Sequence, residues 1–349
     1  MKAYVYHGPD QKGAWEEVPN PTILEPTDVI ARVDTTTICG TDLHILKGDC
    51  PEVDHGRILG HEAVGTITEV GSAVTDLKVG DRIIIPAVTS CGKCSYCKAN
   101  QPSHCQTVGG VGWIFGYMID GTQAEYVRVP YAETSVHLVP EGLTDEDVLF
   151  LTDALPTGFE IGILNGNTKP GDTVAVVGAG PVGLGAIMTA NLCGAGRVIT
   201  VDFDDNRMNK ALELGATDKV NAGDPDFIEK IKTLSPDGLG VDVAIEAVGV
   251  PQTFETCTKI VRPYGNIANA GVPLNTMWIS NVRINMGLVN CNTVGNLLNM
   301  VRSGRLNAKA MATHRFTFDQ FEEAYDLFTH AAEHNVVKVV ISRNPEVAA

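Results

Sequence analysis

The run TVAVVGAGPVGLGAIMTANL constrains the fold of this chain more than any other stretch. An apolar segment leads into Gly178, Gly180 and Gly183, a G-x-G-x-x-G pattern, and an apolar helix-forming segment follows. The pattern alone is weak. Between a strand and a helix, it has the context that a dinucleotide-binding turn requires. Gly178 permits the tight turn, Gly180 lets backbone approach a pyrophosphate, and Gly183 lets the helix pack closely on the strand. Pro181 and Val182 open that helix, whose free N–H groups and positive dipole end face the phosphates. The next apolar run, VITV, ends at Asp202, 22 residues after Gly180, the distance expected of a carboxylate that binds a ribose 2′-hydroxyl. Arg207 follows on the same loop, and Val248 and Val272 are assigned to the same cofactor. A carboxylate at Asp202 repels a 2′-phosphate, which favours NAD over NADP. The plain alternative is a turn aspartate in an α/β domain that binds no nucleotide.

At 349 residues the chain is too long for one ordinary core, and two domains are expected. The first 150 residues or so are rich in Val, Ile and Thr, broken by Gly, Pro and Asp. DVIARVDTTTI, AVGTITEVG, DRIIIPAV and AEYVRVP read as strands. From residue 157 to 297, apolar runs (TVAVVGAG, VITVDF, VDVAIEAVG, GNIANAGV) alternate with helix-like stretches. That alternation implies parallel strands joined by crossover helices. A helical run, FDQFEEAYDLFTHAAEH, and a short strand, VVKVVIS, end the chain. The strand needs a sheet, so the tail is expected to return to the first domain. The expected division is 1–156 with 298–349, and 157–297.

The net charge of −16 disfavours nucleic acid, whose phosphates need a basic footprint, and disfavours anionic membrane surfaces. No apolar stretch approaches the length of a membrane span.

Four of the nine cysteines, Cys91, Cys94, Cys97 and Cys105, fall inside CGKCSYCKANQPSHC, spaced C-x2-C-x2-C-x7-C. Four thiolates at such spacing complete a closed tetrahedral zinc shell, and the ion replaces a core that this polar loop lacks. The alternatives are a disulfide pair or free thiols, and His104 is a possible substitute ligand. Disulfides need an oxidising compartment. MKAYVYHGPD has no apolar signal-peptide run, so the expectation is a reducing cytoplasm. Cys50, Cys193, Cys257 and Cys291 read as ordinary small or inert thiols.

A second set of metal-type residues is scattered: Cys39 in ICGTDLH, His61 and Glu62 in LGHEAVG, Asp153 in LTDALPTG. Alone, each has a dull reading, as a buried thiol, a core or surface histidine, or a helix-capping aspartate. Spacing cannot assemble residues more than 90 positions apart.

With CGTDLH, GHE, the four-cysteine lobe, GAGPVG and the late KVVI strand, the whole chain resembles the zinc-dependent medium-chain alcohol dehydrogenases. The resemblance implies an α/β protein, with a mostly β, GroES-like catalytic domain and a Rossmann domain with a doubly wound parallel sheet. It implies two zinc ions per chain and NAD. In alcohol dehydrogenase the open zinc site uses two cysteines and a histidine. The resemblance makes Cys39 and His61 ligands here, and the third position falls on Asp153. That departure is shared with bacterial secondary-alcohol dehydrogenases, which commonly prefer NADP and often lack the lobe, whereas this chain has Asp202 and the full lobe.

Zinc in such a site is a Lewis acid that makes an alkoxide accessible near neutral pH. The family's proton path runs from the hydroxyl at Thr41, through the cofactor ribose, to His44. The other reading of His44 is a solvent-facing turn residue. Glu62 stands where relatives keep a glutamate, as an alternative ligand or as a carboxylate behind the ligands. The resemblance further implies a nicotinamide contact for Thr157 and a place near the cofactor phosphates for Lys338, with a surface lysine as its alternative. It gives Trp113 a wall of the substrate pocket, with a plain core tryptophan as the alternative. Leu297 and Leu298 are assigned to the same pocket, near a subunit interface.

The activity expected is hydride transfer between NAD and a secondary or small alcohol, or its ketone or aldehyde. A polyol, butanediol or threonine dehydrogenase of the same family is the alternative. A zinc-free quinone or enone reductase would lack both cysteine features. A non-enzymatic nucleotide-fold protein would have no use for Cys39, Thr41, His44, His61 and Asp153 together. The family implies a homo-oligomer, a tetramer or else a dimer.

Overall fold

The computed structural model describes residues 1–9, 11–269, 283–285 and 287–344. Val272 therefore lies outside the described residues. The chain divides into two units, Met1–Asp153 with Asn290–Ala349, and Ala154–Val289.

In the second unit the apolar runs form a six-stranded parallel sheet, ordered Asp218–Asn221, Arg197–Asp202, Thr173–Val177, Val241–Glu246, Val261–Ala268, Arg283–Asn285. Counted along the chain, that is the 3-2-1-4-5-6 order of the doubly wound dinucleotide fold. Thr173–Val177 is buried at every residue, as a central strand covered on both faces must be. The helix Pro181–Leu192 is buried from Gly183 to Ala190, which explains an apolar sequence with no polar face. Two strands carry little sequence signal. Asp218–Asn221 is a short polar edge, and Arg283–Asn285 spans only three residues. The strand read as GNIANAGV begins earlier, at Val261, and runs through Pro263.

In the first unit, Val29–Thr36 is the organising strand. It pairs antiparallel with Ala63–Val70 and with Tyr126–Val129, in a seven-stranded sheet that continues to Arg82–Ile85 and His137–Leu138. The C-terminal strand Lys338–Ser342 joins its other edge, with Ile341 opposite Thr36, so the tail pairs with this sheet. Alternate residues Val29, Ala31 and Val33 face a core shared with Ile67, Ile83, Ile85 and Phe115. The late helix Phe321–Thr329 closes that core through an aromatic stack. Phe321 lies 4.6 Å from Trp15, and Tyr325 lies 4.2 Å from Tyr4.

The return to the first unit comes at Asn290, eight residues before the boundary expected from sequence. The Asn290 side chain accepts hydrogen bonds from the amide and hydroxyl of Ser103, and the Cys291 thiol contacts the carbonyl of Thr152 at 3.7 Å. The helix Val294–Arg302 then buries Leu297 and Leu298 in this unit. No proline marks the crossing, so the segment reads as one more crossover helix. Among the described residues no helix is long and apolar enough to cross a membrane.

Phe321, the first residue of the late helix, is completely buried against Tyr4 and Trp15 of the N-terminal hairpin. Phe321→Ala is expected to cost about 3–5 kcal/mol of unfolding free energy, measured by urea denaturation.

Candidate metal centres and dinucleotide turn

The four lobe cysteines come together as their spacing required. Their sulfurs all lie within 4.8 Å of one another, with Cys94–Cys97 at 3.5 Å, Cys94–Cys105 at 3.9 Å and Cys91–Cys97 at 4.0 Å. Tetrahedral Zn–S bonds place sulfurs about 3.8 Å apart, so the set fits zinc. The electrostatics agree. Burial opposes ionisation of Cys91, yet the Thr107 hydroxyl and the amides of Lys93 and Cys94 bring its thiol down to about 6. Burial, with hydrogen bonding to the Cys94 and Cys105 sulfurs, pushes Cys97 up to about 12. Thiols so crowded resist ionising together unless a cation neutralises them.

The second set is assembled by the sheet. Cys39 follows the strand Val29–Thr36 and caps the helix Gly40–Lys47. His61 and Glu62 immediately precede Ala63–Val70. Thr36 pairs with Ala63, and the Thr36 hydroxyl donates to the Glu62 carbonyl at 2.7 Å, so the two strand ends are brought side by side. Asp153 closes the set. Its Oδ2 lies 3.5 Å from His61 Nε2 and 3.7 Å from Cys39 Sγ. Zinc bonds of about 2.0–2.3 Å require ligand atoms at such separations. A thiol and two carboxyl groups converge on one imidazole, and that donor set calls for a cation. Burial disfavours protonated His61, but Asp153, Cys39 and Asp42 outweigh it and hold the imidazole proton well above the usual histidine range. Cys39, His61 and Asp153 thus fit a three-ligand zinc site.

Glu62 joins this group, with both its oxygens occupied. Lys338 Nζ is 2.5 Å from Oε1, and the Thr152 hydroxyl donates to Oε2 at 3.1 Å. Burial raises its carboxyl, and the Lys338 charge opposes that rise. This geometry favours a carboxylate standing behind the ligands. Lys338 itself requires a correction. It is only 1 % exposed, with its ammonium bound to Glu62 and to the Ile38 carbonyl, so it is neither a surface lysine nor open to cofactor phosphates here. Its strand carries it into the interior beside Cys39.

Thr41 and His44 share the helix that Cys39 caps. Thr41 Oγ1 lies 3.7 Å from Cys39 Sγ, while His44 is solvent-facing with Nδ1 2.7 Å from Asp49. The Trp113 ring meets His61 edge-on at 5.9 Å and stacks on Tyr117 at 4.7 Å. Leu297 and Leu298 belong to the first unit's interior, on a helix that packs against Asp145–Leu149, outside the metal set.

Sequence reasoning misses Asp42 and Thr152. Asp42 is completely buried, and its Oδ1 lies 3.8 Å from His61 Nδ1. At that distance the two atoms make no hydrogen bond, but the carboxylate charge helps to hold the imidazole protonated. The available signal is an acid three residues after a helix cap, in CGTD. Thr152, adjacent to Asp153, carries no signal.

In the second unit Gly178 has φ +103°, a left-handed conformation. A Cβ on Gly183 would lie 1.9 Å from the Gly178 carbonyl oxygen, whereas a Cβ on Gly180 would meet nothing within 4 Å. Gly183 is therefore demanded by helix packing, and Gly180 leaves the open cradle a pyrophosphate needs. Pro181 and Val182 begin the helix, and Val248 packs against Gly178. Asp202 reaches the turn, where its Oδ2 accepts from the Ala179 amide at 2.7 Å and its Oδ1 from the Phe203 and Asp204 amides. Arg207 lies in the first turn of Asp205–Glu213, and Thr157 ends the short helix Ala154–Thr157. The glycine turn and Asp202 fit a bound dinucleotide.

Removing one partner of a buried ion pair leaves an uncompensated charge. Lys338→Met is expected to lower stability by about 3–5 kcal/mol in chemical denaturation, and adding Glu62→Gln should recover part of that loss.

Two family models match the chain, the alcohol dehydrogenase GroES-like domain over residues 25–141 and the zinc-binding dehydrogenase domain over residues 181–300. An alcohol dehydrogenase of Cupriavidus necator is 39 % identical over 98 % of each chain. An NADP-dependent isopropanol dehydrogenase of Entamoeba histolytica is 35 % identical over 83 % of this chain and 82 % of its own. The solved structure of zinc dependent alcohol dehydrogenase 2 from Streptococcus pneumonia, in its apo form, superposes with a TM-score of 0.92 at 46 % identity over 99 % of each chain. The sheet order, the converging ligands and these matches agree: the chain belongs to the zinc-dependent medium-chain alcohol dehydrogenases and is an alcohol oxidoreductase.

Proposed function

We propose that this chain uses NAD to oxidise secondary or other small alcohols and to reduce the matching carbonyl compounds. One zinc would be held by Cys39, His61 and Asp153, and a second by the cysteine lobe. The observation that carries the cofactor choice is the Asp202 carboxylate anchored on the glycine turn by the Ala179 amide. Three backbone amides hold this carboxylate at the turn, where a 2′-phosphate would meet it as repulsion.

When bound, zinc supplies a Lewis acid for the substrate oxygen and NAD supplies the hydride acceptor. The remaining work falls to side chains. Asp42 and Glu62 orient the ligands from behind. The Thr41 hydroxyl, beside the Cys39 thiol, is placed to take a hydrogen bond from the substrate hydroxyl. His44 stands at the solvent end of the same helix. Its Nδ1 faces Asp49, so Nε2 is the nitrogen left to accept a proton. Trp113, edge-on to His61, limits the room beside the metal set.

Initial rates with a panel of alcohols, diols and threonine, each with NAD and NADP, test this reading. A higher kcat/KM with NAD and a simple secondary alcohol is expected. A preference for a diol or an amino acid would replace the substrate assignment.

Asp202→Gly should narrow the preference for NAD and admit NADP, read as the ratio of kcat/KM values. An unmodified enzyme that already prefers NADP would refute the assignment of Asp202.

Thr41→Val should reduce kcat by about 10²-fold or more, the scale of general acid–base contributions, while Thr41→Ser stays active. His44→Ala should be slowed less and partly restored by added buffer base. Near-normal turnover in Thr41→Val would refute the relay.

A further inference from the structure

Behind Asp42 lies a polar chain that the reaction does not obviously need. Gln123 is completely buried. Its Nε2 donates to Asp42 Oδ2 at 3.1 Å and to the Thr37 carbonyl at 3.2 Å, and its Oε1 accepts from the Tyr325 hydroxyl at 2.7 Å. Both amide hydrogens and the amide oxygen are thus used. A carbonyl and a carboxylate can only accept, so they hold the amide in this one orientation. Tyr325 is fixed in turn by its stack on Tyr4, with rings 9° from parallel. The other Asp42 oxygen faces His61 Nδ1. Hydrogen bonds therefore join Tyr325, Gln123 and Asp42, and the second Asp42 oxygen stands 3.8 Å from His61 Nδ1, beyond hydrogen-bond distance, with neither of those two atoms hydrogen-bonded elsewhere among the described residues.

Gln123 also touches the backbone that presents His61. Its backbone N–H donates to the Leu59 carbonyl at 2.9 Å. Gly60, at φ +90°, makes room for it, since a Cβ there would lie 2.5 Å from Gln123 Cγ. The residue thus bears on His61 from two sides, through the Asp42 carboxylate and through the turn at Leu59–Gly60.

We infer that Gln123 and Tyr325 are positioning residues for the His61 ligand, acting through Asp42. This rests on the reading of Cys39, His61 and Asp153 as a zinc site. A buried carboxylate orients its histidine well only when its own direction is fixed. Here the Cys39 amide and the Gln123 amide fix Oδ2 and thereby aim Oδ1. An apolar residue at 123 would leave Asp42 with one donor fewer in a dry interior, free to turn away from His61. Loss of a partner behind a ligand typically costs about 10–100-fold in metal affinity.

The test is zinc affinity at the open site, measured by competition with a chromophoric chelator in wild type, Gln123→Leu, Tyr325→Phe and the double variant. The cysteine lobe is the internal control. Cobalt(II) substituted at the open site adds a visible spectrum that reports ligand geometry independently of turnover. Gln123→Leu should bind zinc about 10–100-fold more weakly at the open site, with a shifted cobalt spectrum and an unchanged lobe. Tyr325→Phe, which keeps the ring and its stack, should show a smaller drop in the same direction. In the double variant it should add nothing to the effect of Gln123→Leu. Wild-type affinity and spectrum in Gln123→Leu would overturn the inference, whatever its melting temperature. If Gln123→Leu does not fold, an unchanged affinity in Tyr325→Phe overturns it and a reduced one supports it. Wild-type protein that binds zinc only in the lobe would overturn the zinc reading and this inference together.

Discussion

A lysine ammonium and a glutamate carboxylate, 2.5 Å apart and both sealed from solvent, anchor the catalytic end of this protein. Neither charge is tolerable alone in such a place. Lys338 belongs to the last strand and Glu62 to the turn before Ala63–Val70, so their pairing ties the C-terminal tail to the strand that presents His61. Thr152 bonds the second Glu62 oxygen and is the neighbour of Asp153. One carboxylate thereby links the chain segments that carry His61 and Asp153.

Around that anchor, the metal residues form an anionic group with one imidazole in its midst. Buried like charges repel, and a bound cation would relieve that repulsion. The same logic holds in the lobe, where one thiol is pulled down and its neighbour pushed up. The two centres differ in what surrounds them. In the lobe the Cys91 sulfur is supported by the nearby amides of Lys93 and Cys94 and the Thr107 hydroxyl. The second set is supported from across the sheet, by Asp42, Glu62 and Lys338.

The second unit solves a different problem. A parallel sheet with its central strand wholly buried fixes the glycine turn at the end of Thr173–Val177, and the neighbouring strand brings Asp202 onto it. Close packing consumes Gly183, while Gly180 faces open space. The side of the turn left bare is therefore the side on which backbone amides can meet phosphate.

Features whose partners are close along the chain are legible in the amino-acid sequence itself. The cysteine lobe lies within 15 residues, and a short loop can close on one ion without help from the rest of the chain. The glycine pattern is equally local, since turn geometry and strand–helix contact involve neighbouring residues. Residues far apart are different. Cys39 and Asp153 are 114 positions apart, Lys338 and Glu62 are 276 apart, and Tyr325 and Gln123 are 202 apart. Resemblance names the ligands, but it leaves Lys338 facing phosphates and passes over Asp42, Thr152 and Gln123. The domain boundary at Asn290 is hidden too, because nothing in an unpunctuated amphipathic segment tells which core will bury it. Composition and spacing determine which residues are able to bind a metal or turn a chain. Strand register decides which of them meet, because only pairing such as Thr36 with Ala63 brings distant side chains within a bond length of one ion.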